Sequence, residues 1–213
     1  MSVATPRPEI RVLAGVNGAG KSSVAGARVL HAGGQFYNPD QYAAELRSAN
    51  RGMSNEQANA LAWQRGRGLL QRAIATRANY AFETTLGATT IPTLLRLASV
   101  SHEVHIVFVG LDSPERHIAR VAARVRAGGH DIPEAKIRER FTSSRANLIG
   151  LMPSLASLRV YDNSAEVVID GTTMPRPARL LEVRAGVITH EAPRGSIPHW
   201  AKAIVQAARE GVK

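Results

Sequence analysis

The chain has 213 residues, of which 44% are hydrophobic and 21% charged, and this suits one globular domain with a core of its own. Cysteine is absent, which excludes a disulfide framework and a thiolate metal site, and no apolar run reaches the ~18 residues of a membrane span. The formal net charge is +10, but the arginines are scattered and only 5% of residues are aromatic, so a base-stacking nucleic-acid surface is disfavoured.

Strand and helix patterns alternate along the chain and predict an α/β fold, with a mostly parallel sheet flanked by helices. The predicted strands are 10–14, 35–37, 79–82, 102–111, 158–161, 165–169, 180–184 and 187–190. The predicted helices are 23–31, one from about 40, then 54–77, 91–99, 114–127, 133–155 and 197–209. Gly33-Gly34 is expected to end the first helix, and Ala185-Gly186 to join the last two strands as a hairpin.

The segment Gly15–Ser22 fits the phosphate-binding pattern G-x-x-x-x-G-K-[ST] and lies between a predicted strand and a predicted helix. Glycines let the backbone form a concavity whose N–H groups point inward, and the helix N-terminus adds partial positive charge. Lys21 is expected to reach the β- and γ-phosphates, and the Ser22 hydroxyl to ligate magnesium. The predicted cofactors are therefore ATP and Mg²⁺. The predicted nucleotide site comprises Gly15, Asn17, Gly18, Ala19, Gly20, Lys21, Ser22 and Ser23.

Three acidic residues, Asp40, Glu83 and Asp112, follow predicted strands. In a parallel sheet the carboxyl ends of the strands lie at one edge, and the phosphate-binding loop (the P-loop, 15–22) lies at that same edge. Asp40 is the candidate general base, which would accept the proton of a substrate hydroxyl; the alternative is that it caps or charges a helix N-terminus. Glu83, with Thr84 and Thr85, is expected to hold substrate hydroxyls, or magnesium through water, with a helix cap again as the alternative. Asp112 stands two residues before a proline and is interpreted as structural.

Arginines flank a glycine-rich turn, 127–133, that follows the fifth predicted helix. Three of them are four residues apart, opposite the apolar stripe of one helix, and two more lie on the next helix. These five are Arg116, Arg120, Arg124, Arg138 and Arg140. A flexible turn flanked by arginines is typical of a lid that closes over phosphates, and a solvated basic helical hairpin is the alternative. Neither His105 nor His130 is given a functional role, because no spacing typical of a zinc site is present.

Taken together, these segments resemble the zeta-toxin family of P-loop kinases, in particular its short bacterial members. The resemblance is carried, in the family's order, by AGVNGAGKSS (14–23), NPD (38–40), FETTL (82–86), RVAARVRAGGHDIPEAKIRERF (120–141) and VYDNS (160–164). It implies a kinase dependent on ATP and magnesium that phosphorylates a hydroxyl of a nucleotide sugar such as UDP-N-acetylglucosamine. It also implies an antitoxin protein as a possible partner.

The resemblance assigns roles by matching position. Asp40 takes the place of the family's base and Glu83 that of its substrate-contacting glutamate, while Asn163 falls near the adenine. The implied catalytic set is Lys21, Asp40, Arg124 and Arg138, with Arg140 as the other choice for the last position. A single P-loop kinase-like domain over 1–213 is expected, with a helical lid at about 124–140. Residues 165–213 would form an appendage of a small hairpin and a helix.

A P-loop ATPase or nucleotide switch acting with a protein or nucleic-acid partner is the alternative function. It would call for an apolar strand ending in Asp-Asp or Asp-Glu, and the nearest residue of this kind is the single Glu83. A binding module without catalysis is disfavoured by the intact Lys21, Ser22 and carboxylates. The first residues lack the apolar segment of a signal peptide, so we expect a cytoplasmic protein with no membrane partner.

Overall fold

The computed structural model describes residues 6–24 and 36–211 and centres on a seven-stranded sheet. The strands in chain order are β1 (Glu9–Ala14), β2 (Phe36–Tyr37), β3 (Tyr80–Thr84), β4 (Glu103–Gly110), β5 (Ser157–Asp162), β6 (Glu166–Ile169), β7 (Thr172–Pro175), β8 (Ala178–Arg184) and β9 (Val187–Glu191). Strands β6 and β7 form a separate two-stranded hairpin, and the other seven form the main sheet. The predicted α/β class is confirmed.

The main sheet has the strand order β2-β3-β1-β4-β5-β8-β9. The first five strands are parallel, and β8 and β9 add an antiparallel edge. The chain builds one half of the sheet on the β3 side of β1 and then the other half on the β4 side. The carboxyl end of β1 therefore lies at the point where the strand order reverses, which is where open α/β sheets bind ligands.

Seven helices flank the sheet within the described part of the chain. The first, α1, begins at Lys21 and is described to residue 24. The others are α2 (Pro39–Ala49), α3 (Asn55–Thr76), α4 (Thr90–Ser99), α5 (Pro114–Arg126), α6 (Glu134–Leu151) and α7 (Lys202–Gly211). The predicted end of the first helix near His31 and its stop at Gly33-Gly34 lie outside the described residues. No described helix is both long and apolar enough to cross a bilayer.

Two helices differ from their predicted bounds by more than two residues, and a proline lies at each difference. The helix predicted for 133–155 ends at Leu151 and gives way to a 3-10 turn, Met152–Ser154, because Pro153 lacks the N–H that an α-helix needs. The final helix begins at Lys202 instead of 197, since extended backbone at Pro198 and a 3-10 turn at 199–201 precede it. Strand β7 lies in a stretch for which no strand was predicted.

Side-chain caps fix the two helices that border the site. The predicted cap of α3 is confirmed as a capping box, in which Ser54 Oγ accepts from the Gln57 N–H and the Gln57 side chain accepts from the Ser54 N–H. Asn38 caps α2, because its Oδ1 accepts from the backbone N–H groups of Asp40 and Gln41. Asp40 is thereby held in the first turn of α2, at the sheet edge that carries the P-loop.

The core continues from the parallel strands into the C-terminal helix. Trp200, just before α7, is 2% exposed and packs its ring 6.2 Å from that of Phe108 in β4. A Cβ on Gly110 would lie 2.4 Å from the Trp200 ring, so glycine is required where the indole crosses the strand. The indole Nε1 donates to Asp162 Oδ1 at 3.1 Å, which gives the buried ring its hydrogen bond.

Candidate active site

Three glycines shape the loop between β1 and α1 into a tight cradle. Gly15, Gly18 and Gly20 have φ values of +141°, +79° and +76°, in the region that side chains disfavour. A Cβ on Gly15 would lie 2.1 Å from the carbonyl oxygen of Val109, and one on Gly20 would lie 2.5 Å from Asn163 Nδ2. Only glycine fits at these positions, because the loop must turn back against β4 and the end of β5.

The cradle offers backbone donors without protein acceptors. The Ala19 N–H donates to the Val16 carbonyl and closes the turn. Among the described residues, the N–H groups of Gly18, Gly20, Lys21 and Ser22 have no backbone or side-chain acceptor. Unpaired N–H groups in a glycine-rich concavity at a helix N-terminus form an anion site, so the loop fits the phosphates of a nucleotide. The Ser22 hydroxyl is exposed beside them and is the hard oxygen ligand that Mg²⁺ prefers.

Lys21 lies at the floor of the cradle and is 7% exposed. Its Nζ donates to the carbonyl oxygen of Gly15 at 2.8 Å and lies 3.2 Å from Glu83 Oε1. The second oxygen of Glu83 accepts from Asn38 Nδ2 at 3.2 Å. Asn38 also caps α2, so one chain of contacts joins the P-loop lysine, the β3 carboxylate and the helix that carries Asp40.

The two predicted carboxylates both reach the site, and neither is a helix cap. Asn38 caps α2 in place of Asp40, and Glu83 lies inside β3, one residue before its end. Neither carboxylate caps a helix, but Asp40 does place a negative charge in the first turn of α2, as its alternative interpretation expected. Asp40 is partly exposed, with Oδ2 3.6 Å from Arg124 Nη1 and Oδ1 3.8 Å from His130 Nε2.

Two adjoining cavities share these carboxylates. The first, of about 380 Å³, is lined by the P-loop together with Arg120, Arg124 and Asn163. The second, of about 210 Å³, lies between α3, the end of β3 and the loop that joins α5 to α6, and Trp63 and Arg67 line it. Asp40 and Glu83 line both cavities. A molecule in the second cavity would thus face the phosphate cradle across two carboxylates.

The predicted threonines, Thr84 and Thr85, border the second cavity, and their hydroxyl oxygens accept hydrogen bonds from the local turn. Thr84 Oγ1 accepts from the Leu86 N–H, and Thr85 Oγ1 accepts from the Gly87 N–H. The carbonyl oxygen of Thr84 accepts from the Gly15 N–H at 3.2 Å. These bonds join the end of β3 to the start of the P-loop, and each hydroxyl keeps capacity to donate to a ligand.

The predicted lid arginines separate into two groups. Arg124 and Arg140 face the site: Arg124 approaches Asp40, and Arg140 Nη1 donates to Asn17 Oδ1 in the P-loop at 2.7 Å. Arg120 lines the P-loop cavity and pairs with Glu166 at 2.8 Å. Arg138 is exposed and pairs with Glu115 at 2.6 Å, and it lines neither cavity. The structure therefore brings Arg140 to the site in the place for which Arg138 was predicted.

Asn163 lies directly against the P-loop and is fully buried. Its Nδ2 donates to the carbonyl oxygen of Ala19 at 2.9 Å, and its backbone N–H donates to Gly110. Its Oδ1 is buried without a partner among the described residues. The side chain thus holds the cradle and faces the nucleotide cavity; a contact with adenine stays a prediction.

Sequence reasoning missed two histidines that border the site. His117 of α5 is 1% exposed, and its ring Nδ1 lies 2.8 Å from the carbonyl oxygen of Asn17. Burial lowers the pKa of His117 to about 4, so the neutral ring donates Nδ1–H to that oxygen. His117 precedes Val121 by four residues and so lies on the predicted apolar stripe, which is the signal that marks it as buried. His130 lies beside Asp40 in the loop between α5 and α6, where no periodicity indicates its direction.

The sequence of this chain matches a family model and is similar to a known protein. The family model of the AAA domain matches residues 10–148. An uncharacterized protein of Haemophilus influenzae is 27% identical over 128 residues, which cover 60% of this chain and 88% of that protein.

Solved structures share the fold at low sequence identity. The AvrRxo1-ORF1:-ORF2 structure with ATP has a TM-score of 0.65 at 17% identity and covers 95% of this chain, which spans 64% of the AvrRxo1 chain. A chain from the PezAT chromosomal toxin-antitoxin system of Streptococcus pneumoniae has a TM-score of 0.55 at 14% identity, covering 100% of this chain and 87% of the other.

Proposed function

This chain belongs to the AAA domain family, and we propose that it is an ATP-dependent kinase that transfers the γ-phosphate of ATP to a hydroxyl of a small molecule. The observation that carries the proposal is the pair of adjoining cavities that share Asp40 and Glu83. A nucleotide in the P-loop cavity would place its γ-phosphate beside these carboxylates. An acceptor in the second cavity would then present its hydroxyl to the same point, where Asp40 can act as the general base.

The reaction is an in-line transfer between two oxygens. The acceptor oxygen forms a bond to the γ-phosphorus while the bond from that phosphorus to the β–γ bridging oxygen breaks, and ADP leaves. Asp40 accepts the proton that the hydroxyl loses. Lys21 and the free N–H groups of the cradle hold the phosphates, and Arg124 and Arg140 offset the charge of the transferring group. Mg²⁺ held through Ser22 would supply further charge neutralisation at the phosphates.

The second cavity favours a ring-bearing, anionic acceptor. Trp63 is 42% exposed, and its indole offers a flat apolar face at the cavity wall. The guanidinium of Arg67 lies 4.9 Å from the centre of that ring, and its Nε is buried without a partner among the described residues. A sugar or base can stack on the indole while a phosphate takes the guanidinium. We therefore propose a nucleotide sugar such as UDP-N-acetylglucosamine as acceptor, in line with the zeta-toxin resemblance.

A protein partner and a cellular location are part of the same proposal. One solved structure of the same fold belongs to a toxin-antitoxin system, and another contains AvrRxo1-ORF1 together with -ORF2. We propose that an antitoxin-like protein restrains this chain, and that the chain acts in the cytoplasm, where ATP is available. Co-purification of the chain with the product of a neighbouring gene would test the partner, and a free, fully active chain in its own host would contradict it.

Two substitutions test the roles of the P-loop and of the base. Lys21→Ala should remove ATP turnover and keep the fold. Asp40→Asn changes proton acceptance with little change in shape, so phosphoryl transfer should fall by about 10²–10⁴-fold while ATP affinity stays within about threefold. Asp170→Asn is the matched control, because Asp170 is exposed in the β6–β7 turn. Transfer by Asp40→Asn at the rate of the control would refute the base assignment.

A further inference from the structure

The lid loop between α5 and α6 brings a buried histidine to the proposed base. The side chain of His130 is 9% exposed and lines the acceptor cavity. Its Nε2 lies 3.8 Å from Asp40 Oδ1 and has no hydrogen-bond partner among the described residues. A shortening of about 0.8 Å would bring the two atoms to hydrogen-bond distance.

Arg124 contacts both the lid loop and Asp40, the proposed base. Its Nη2 donates to the carbonyl oxygen of His130 at 3.2 Å, while its Nη1 lies 3.6 Å from Asp40 Oδ2. The loop passes close to the same side chain, since a Cβ on Gly129 would lie 2.7 Å from Arg124 Cγ. Gly128, with φ +90°, provides the turn that this approach requires. Each oxygen of Asp40 is therefore faced by a different group, a guanidinium on one side and an imidazole on the other.

The charges around His130 come from every element packed against it. Asp40 and Arg47 belong to α2, Arg124 to α5, and Asp131 follows in the loop. Arg140 of α6 lines the same cavity. Burial lowers the pKa of His130, and the positive field of Arg124 and Arg47 lowers it further, while Asp40 and Asp131 raise it. The imidazole is therefore neutral at pH 7 and able to accept a proton.

We propose that His130 is a positioning residue that orients Asp40 in the closed lid and takes over the proton that Asp40 receives from the acceptor hydroxyl. The inference rests on the proposed kinase function. In the transfer step the O–H bond breaks and its proton binds to Asp40. Asp40 then passes that proton to His130 Nε2 and becomes a carboxylate again. The imidazolium releases the proton to water when the lid opens with the products.

A titration tests the contact without any catalysis. The pKa of His130 is measured by NMR in the full chain, with the ring resonance identified by its loss in His130→Gln. Asp40→Asn removes the negative charge next to the ring, so the pKa of His130 should fall by at least about 0.5 unit. Asp170→Asn, in the exposed β6–β7 turn, should leave it unchanged, because Asp170 is not among the charges that act on His130. Equal pKa values in wild type and Asp40→Asn would overturn the inference.

A pH profile tests the proton transfer. With ATP and UDP-N-acetylglucosamine as substrates, the acid limb of the wild-type kcat should follow the pKa of His130 from the titration. His130→Gln should lower kcat about tenfold, leave the KM for ATP unchanged and move the acid limb to lower pH. His190→Gln, at a half-buried position of β9 on the far edge of the main sheet, is the control. An unchanged kcat and acid limb in His130→Gln would overturn the inference.

The two experiments separate this inference from the function on which it rests. If wild-type protein transfers no phosphate to UDP-N-acetylglucosamine, the proposed acceptor is wrong, and the titration still decides the coupling between His130 and Asp40. If transfer occurs but the titration finds no coupling, the kinase proposal stands and the role of His130 is refuted.

Discussion

Protonation of His117 should lower the free energy of unfolding of this protein at acid pH. This ring is 1% exposed and donates to the carbonyl oxygen of Asn17, so it joins α5 to the cradle. Burial lowers its pKa to about 4, the hydrogen bond to Asn17 opposes that effect, and the positive charges of Lys21 and Arg120 add to it. An imidazolium here would be buried beside the positive charges of Lys21 and Arg120.

The size of the effect follows from the pKa in the two states. The folded protein holds the His117 pKa at about 4, below the 6.5 expected in the unfolded chain. Between these values the unfolded state binds more protons, so the free energy of unfolding falls as the pH falls through this window. At about 1.4 kcal/mol per pH unit, the full loss is roughly 3 kcal/mol, and about 2 kcal/mol of it has occurred by pH 5.

Thermal or denaturant unfolding at pH 7.5 and pH 5.0 measures this loss. His117→Asn is the informative variant, because its amide keeps an N–H for the Asn17 carbonyl but does not titrate in this range. His105 and His130, whose pKa values burial also lowers, contribute equally to both proteins and cancel. Wild type should lose about 2 kcal/mol more than the variant, or roughly 4–8 °C in Tm. Equal losses would refute the reasoning.

Three further predictions concern the arginines near the site, the P-loop glycine Gly15 and the N-terminal cap of α3. Arg140→Ala should lower phosphoryl transfer about 10²-fold, and Arg138→Ala should leave it unchanged; equal rates would reject the separation of the two arginines. Gly15→Ala should abolish ATP binding in a calorimeter, since its Cβ would meet a β4 carbonyl at 2.1 Å, whereas Gly52→Ala should bind normally. Ser54→Ala should lower the free energy of unfolding by about 1 kcal/mol in denaturant, and no change would exclude a stabilising capping box.

The sequence was most informative where the signals are local. A strand, a glycine-rich turn and a helix in immediate succession predict the P-loop, and Ser54 with Gln57 predicts the cap of α3. Each feature depends on residues within a few positions of one another, so no tertiary information is needed. The order of acidic residues at strand ends extends this reasoning, because parallel strands bring their carboxyl ends to one edge.

The choice between Arg138 and Arg140 stayed open in the sequence because a polar residue interrupts the pattern of α6. The buried positions of this helix include Ile137, Ser144 and Leu148, and Arg140 lies three residues after the first of these. Arg140 therefore belongs to the inward stripe, and Arg138, two positions earlier, points away. Ser144 interrupts the apolar residues of this stripe, so the helical period of its buried positions is not evident from hydrophobicity alone. Its burial is explained only by its hydrogen bond to the carbonyl oxygen of Thr85, 59 residues earlier.

The contact of His130 with Asp40 was beyond sequence reasoning for a different reason. His130 lies in a loop, where no hydrophobic period indicates its direction, and its contact with Asp40 spans 90 positions of the chain. Strand β7 was missed because all four of its residues are exposed and show no alternation. Both features depend on how distant elements pack together.

A phosphoryl-transfer assay with γ-labelled ATP, Mg²⁺ and UDP-N-acetylglucosamine, analysed by mass, tests the central claim most directly. The account predicts a labelled product heavier than the acceptor by one phosphate group, lost in Lys21→Ala and greatly reduced in Asp40→Asn. Release of inorganic phosphate alone, with the acceptor unchanged in mass, would contradict it.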